Sequence, residues 1–377
     1  MRRIIYITFV STVLLSTSCK KKEGCTDPTA LNFDSKAKKD NGSCEYGPAY
    51  STPTTYSFNN SSGQTTVDYS GQTDRINQLT EMMGYIETGE IQAIDAQVLT
   101  DMFQNTGGNG NGNFSFTSTR QLKDKLFSLD VSLMESYFDS VSLASQSFAS
   151  TASNGQAGTL TSGLSKYLFS KNGIEYAELI EKTAIGGVFM HQALNVYFGP
   201  GKMNVDNTTP VSGQTYTAMQ HHWDEAFGYF GVPTNFPAAF ADDFWGKYCN
   251  TQNPTLNSNG LMMNNFLKGR AAIGAAVYAD RDDAIYFIRR TWEDIAAYQA
   301  MTYLNGAITN YGVDQAKCLH NLNEAYGLIF TLRYAPLETR RISQTQLDQV
   351  LADFGTNFWN VDATEMQAIK ATIDGLY

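Results

Sequence analysis

From Tyr69 almost to the C-terminus, apolar residues recur at three- and four-residue intervals, and little of the chain alternates apolar with polar positions. The segments "RINQLTEMMGYIETG", "IQAIDAQVLTDMFQN", "TRQLKDKLFSLDVSLMESYFDSV", "GIEYAELIEKTAIGGVFMHQALNVYFG", "GLMMNNFLKGRAAIGAAVYADRDDAIYFIRRTWEDIAAYQAMTYLNGAI" and "VDQAKCLHNLNEAYGLIFTLRYAP" each put an apolar stripe on one helical face and stop at Gly, Pro or Asn. Such a stripe must be covered by another helix, so the period restricts the fold to packed helices. We expect an all-α domain of eight to eleven helices over residues 67–377. With 42% hydrophobic residues in a chain of 377, there is material for a large core.

The N-terminus reads differently. "MRRIIYITFVSTVLLSTSC" has two arginines, an apolar run from Ile4 to Leu15 and small residues before Cys19. Residues 1–18 therefore read as a secretory signal, too short to span a bilayer. The small run ending in Cys resembles a bacterial lipobox, with Ser16 where Leu is usual. That resemblance makes Cys19 the lipidated first residue of the mature chain and places the protein in the cell envelope, anchored to the outer membrane. Residues 19–66 then read as a tether. Within it, Cys25 and Cys44 bracket an Asx-, Pro- and Gly-rich loop, and a disulfide closing that loop contributes about 3 kcal/mol. The stretch resembles a short "CTDPTA…DNGSC" module of secreted Bacteroidota proteins. Asp27, Asp34 and Asp40 lack the alternation of an EF-hand loop, so we read a stapled spacer rather than a calcium site. Cys249 and Cys318 are either bridged or two buried thiols.

Net charge narrows the partners. The chain carries −10 overall, and beyond the first 49 residues 19 basic face 32 acidic residues. Phosphate-backbone binding needs clustered cations, so nucleic acid is excluded as the natural partner, and cations are a better match. The "GGNGNGN" run from Gly107 lacks the lysine of a phosphate loop and reads as a surface loop.

Two segments carry the chemistry. In "HHWDEAFGYF", His221 precedes Glu225-Ala226-Phe227-Gly228, and in "HNLNEAYGLIF", His320 precedes Glu324-Ala325-Tyr326-Gly327. Both are His-x-x-x-Glu-Ala-aromatic-Gly. On a helix, residues i and i+4 share a face, so each imidazole meets its carboxylate, and the glycine one turn on lets a second helix approach. The shared pattern suggests an internal repeat, about residues 119–231 and 261–335, as two related helical bundles packed about a pseudo-two-fold axis. Such an axis would bring His221, Glu225, His320 and Glu324 to one interior point, as carboxylate-bridged metal sites are assembled between facing helices. His222, three residues before Glu225, is a further candidate, and His191, Glu178 and Glu181 are possible additional ligands. Imidazole with carboxylate suits iron, zinc or manganese. His191 also reads as an apolar-helix core residue, and Asp224 as solvent-facing. The plain alternative is that each His–Glu pair merely satisfies two polar groups in a core.

"HHWDEAFGYFG", "FLKGRAAI" and "NEAYGLIFTLRY" resemble segments of a Bacteroidota lipoprotein family of unknown function, over about Tyr56 to the C-terminus. More distantly, His222-Trp223-Asp224-Glu225 and the duplicated layout resemble the imelysin, or iron-regulated lipoprotein, group, whose hallmark is Gly-x-His-x-x-Glu. Here no Gly stands two residues before His222. The resemblance implies two helical bundles and a link to iron acquisition. The expected function is an envelope lipoprotein binding a transition metal or metal-bearing ligand between the repeats. Two alternatives are a glycan- or protein-binding surface lipoprotein with structural His/Glu pairs, and a metal-dependent hydrolase of imelysin type. Neither a His-Glu-x-x-His nor a Gly-x-Ser-x-Gly motif is present, so catalysis is the weaker expectation.

Overall fold

The computed structural model describes residues 21–46, 50–241 and 243–377, so Cys19 and the signal segment lie outside the described residues. It divides into two units, Met1–Ala49 and Tyr50–Tyr377. In the first, β1 (Glu23–Gly24) pairs in parallel with β2 (Lys39–Asp40), and the expected disulfide joins Cys25 to Cys44. The loop aspartates are used by turns: Asp27 accepts from Thr29, Asp34 from the Lys36 amide and Asp40 from the Gly42 amide.

The second unit begins earlier than the sequence suggests. Residues 50–66, expected as linker, are packed onto the helices: Tyr56 is 1% exposed and stacks on Phe227 with ring centroids 3.6 Å apart.

The helices follow the apolar period. They are α1 (Ser70–Glu87), α2 (Ala96–Phe103), α3 (Val131–Ser145), α4 (Tyr176–Ala184), α5 (Pro200–Met203), α6 (Ala218–Phe230), α7 (Phe244–Leu256), α8 (Ser258–Gly274), α9 (Tyr278–Asn310), α10 (Gln315–Thr331), α11 (Gln344–Asp353) and α12 (Ala363–Asp374). Helix α9, with 33 residues, is roughly 50 Å long. It buries Ile285, Ile288, Trp292, Ile295, Ala296 and Leu304 against α8, α10 and α12. Among the described residues no helix is long and apolar enough to cross a membrane.

Two elements depart from the expectation. An antiparallel hairpin, β3 (Gly158–Ser162) with β4 (Ser165–Phe169), turns at Gly163-Leu164, where Gly163 takes φ +58°. Helix α4 also continues without a break through two π-helical stretches, Ile185–Met190 and Gln192–Tyr197. A Cβ at Gly186 would meet the Tyr334 ring at 2.7 Å and one at Gly187 would meet Leu126 at 2.5 Å, so the Gly-Gly pair allows neighbours onto this widened helix. Cys249 and Cys318 are buried free thiols.

Candidate metal centre

Asp314 caps helix α10, its carboxylate accepting from the Lys317 amide, and this start fixes which face carries His320 and Glu324. That face lies against α4. A Cβ at Gly327 would meet Lys182 Cγ at 2.5 Å, so the glycine foreseen for close approach lets α10 sit directly on the α4 side chains. Three carboxylates then surround one imidazole. His320 Nδ1 lies 3.0 Å from Glu175 Oε2 and 3.8 Å from Glu178 Oε1, and Nε2 lies 4.0 Å from Glu324 Oε1. The Tyr167 ring, carried by β4, stacks on the imidazole at 4.3 Å.

The other oxygens are taken by one lysine. Lys182 Nζ, buried, is 2.7 Å from Glu178 Oε2, 2.6 Å from Glu181 Oε1 and 2.6 Å from Glu324 Oε2. Lys182 therefore fixes one oxygen of Glu178 and of Glu324 and leaves the second of each facing His320. Four carboxylates, Glu175, Glu178, Glu181 and Glu324, share one lysine and one histidine, so the group holds surplus negative charge. Burial works against a charged His320, yet the charge and hydrogen bond of Glu175, with Glu178 and Glu324, push its pKa up to about 9. Burial, reinforced by the charges of Glu175 and Glu87, raises nearby Glu90 to about 7.

Helix α6 builds a similar but looser arrangement. Thr217 and Gln220 form a capping box at its start. His221 Nε2 is 4.0 Å from Glu225 Oε1, the same separation as in the His320–Glu324 pair, and the Tyr216 ring stacks on His221 at 4.5 Å. A Cβ at Gly228 would meet Tyr69 Cβ at 2.6 Å, so α1 approaches here as α4 approaches Gly327. His221 Nδ1 donates to the Asp68 carbonyl (3.0 Å), which orients Nε2 towards Glu225. His222 Nδ1 is 3.0 Å from Glu225 Oε2, and Gln72 Nε2 donates to Oε1 (3.1 Å). Burial of Glu225 is outweighed by the His222 hydrogen bond and the His221 charge, and its pKa is lowered.

The two pairs do not face one point. Glu178 serves the His320 group and Tyr197, whose ring stacks at 6.1 Å on His222, serves the other. They stand nineteen positions apart on one continuous helix, roughly 28 Å at the α-helical rise and less through the wider π turns. The expected joint centre thus separates into two. Among the described residues, the group of three or more potential metal ligands that converges is Glu175, Glu178 and His320, with donor atoms within 4.8 Å of one another.

The remaining expectations resolve residue by residue. Glu178 is at the centre, Glu181 is held by Lys182, and His191 packs edge-on against Phe127 at 4.9 Å with its pKa lowered by burial. Asp224 is not solvent-facing. It is fully buried and accepts from Arg270 Nε (2.8 Å) and Tyr56 OH (2.7 Å), because the approach of residues 50–66 covers it. Glu175, Lys182 and Tyr167 were not singled out. Only the Gly-x turn of the hairpin signals where Tyr167 falls, and nothing local signals Glu175, 145 residues before its histidine.

Fold and site define a helical protein with imidazole–carboxylate groups set between its helices. The chain belongs to the family described as domain of unknown function (DUF4856), whose model matches residues 53–376. No curated protein and no solved structure matches it.

Proposed function

We propose that this chain is an envelope lipoprotein whose helical domain binds one transition-metal ion through His320 Nδ1 and the facing oxygens of Glu175 and Glu178. The convergence of those three donors carries the reading. Bonds of about 2.1 Å set ligands roughly 3.0 to 3.4 Å apart around an ion, and the three donors, with imidazole–carboxylate separations of 3.0 and 3.8 Å and all within 4.8 Å of one another, would close onto it. Glu324 would then orient the ring from Nε2, and Lys182 would hold the carboxylates from behind, as outer partners do in metal sites. A mixed nitrogen–oxygen set suits iron, zinc or manganese. The envelope location rests on the lipobox resemblance at Cys19 and on a disulfide suited to an oxidising compartment.

Metal analysis of the purified protein tests this, as isolated and after loading with Fe(II), Zn(II) or Mn(II). One ion per chain, lost in Glu178→Gln and His320→Gln variants that keep their helical spectrum, is the expected result. The three ion pairs of Lys182 favour a second reading, in which the group is a structural network and the protein binds a protein or glycan at its surface. No metal in the wild type, with large stability losses in both variants, would establish that reading instead.

A further inference from the structure

In a protein of net charge −10, four cations lie near the start of α1 with Glu225 close by but no ion-pair contact to any of them. Arg75, 5% exposed, donates from Nη1 to the Gly71 carbonyl (3.0 Å) and from Nε to the Gln121 carbonyl (2.9 Å). The Arg120 guanidinium reaches the same glycine, where an added Cβ would meet its Nε at 2.9 Å. Next along α1, Gln72 lies 3.4 Å from the Tyr197 hydroxyl, and Lys125 Nζ lies 3.5 Å from that oxygen. The charge of Lys202 is felt at Lys125. Among the described residues no carboxylate stands within 4.0 Å of any of the four.

Elsewhere the basic side chains of the core are neutralised: Arg270 pairs with Asp224 and Lys182 with three glutamates. A buried guanidinium with only carbonyl acceptors is therefore out of keeping with the rest of the molecule, since burying an unpaired charge is costly. The Tyr229 hydroxyl, fully buried, faces Arg75 but makes no hydrogen bond of ordinary geometry. Burial and the charges of Arg75, Lys202 and Arg120 hold Lys125 below the usual lysine range, while Glu225 opposes them.

We infer that the start of α1, with Arg75, Arg120, Lys125 and Lys202 around it, is a binding site for a small oxyanion of the carboxylate or phosphate class with more than one negative charge. Guanidinium and ammonium groups complement such an anion through charge-assisted hydrogen bonds, and the tyrosine hydroxyls supply further donors. The site lies beside Glu225 and is independent of the His320 centre, so it does not rest on the metal reading.

Calorimetric titration of metal-free protein with inorganic phosphate and, separately, citrate tests it at low ionic strength. One-site binding that weakens at least about tenfold in the Lys125→Gln/Lys202→Gln double variant, a change of about 1.4 kcal/mol, and that weakens with added salt, is expected. Lys125→Arg should retain it. Binding of only one of the two anions supports the site and fixes its class. Absence of binding by either anion at millimolar concentration, or equal binding by the double variant, overturns the inference. Both lysines are only half-buried, so these variants avoid the structural role of Arg75.

Discussion

His320 shows how surroundings set what a residue does. Its ring is charged near neutral pH because Glu175, Glu178 and Glu324 outweigh its burial, which puts its pKa near 9 against 6.5 for a free histidine. The folded state therefore binds this proton more tightly than the unfolded state. The stabilisation is complete below about pH 6.5 and is lost as pH rises through about 9. In chelator-treated protein the denaturation midpoint should fall across that window, and His320→Gln should flatten the decline; a rise there would contradict the assignment. Asp224 makes the opposite point about reading residues singly. Its polar neighbours in the sequence suggest a solvent face, yet it holds the buried Arg270 and Tyr56. Asp224→Ala should cost about 3–5 kcal/mol, measured by denaturant unfolding, because it leaves a buried guanidinium unpaired.

At the scale of elements, the sequence is a good guide to what lies along one helix and a poor one to what packs across it. The i, i+4 spacing placed His221 with Glu225 and His320 with Glu324, and both pairs stand at 4.0 Å. The glycines at the next turn marked where α1 and α4 approach. Hidden were Glu175, which stands just before α4, and Lys182, because tertiary packing alone brings them to α10. The hairpin was hidden too, as a ten-residue strand pair inside a helical chain. Gly327→Ala tests the helix contact: its methyl group would run into Lys182, so stability should fall by about 1–3 kcal/mol. Metal affinity should fall with it, since Lys182 orients Glu178 and Glu324. A variant of unchanged stability and affinity would show that α10 shifts freely on α4.

For the whole molecule, the apolar period was sufficient to establish a helical domain, and its N-terminal limit moved from residue 67 to residue 50 once Tyr56 was seen in the core. The two His–Glu helices are alike in construction, each with a stacked tyrosine and a glycine contact, but their surroundings differ. One is crowded with carboxylates and clamped by a lysine; the other adds a second histidine and borders a cluster of cations. If Cys19 is the lipidated residue, Cys19→Ala should move the protein from the membrane fraction to the soluble fraction of the envelope. Retention in the membrane fraction would point to another anchor.

The most direct measurement is an anomalous difference map from crystals loaded with Fe(II) or Zn(II). The account predicts one strong peak bonded to His320 Nδ1, Glu175 and Glu178, with Lys182 still behind the carboxylates. No peak, or a peak only between His221 and Glu225, would contradict it.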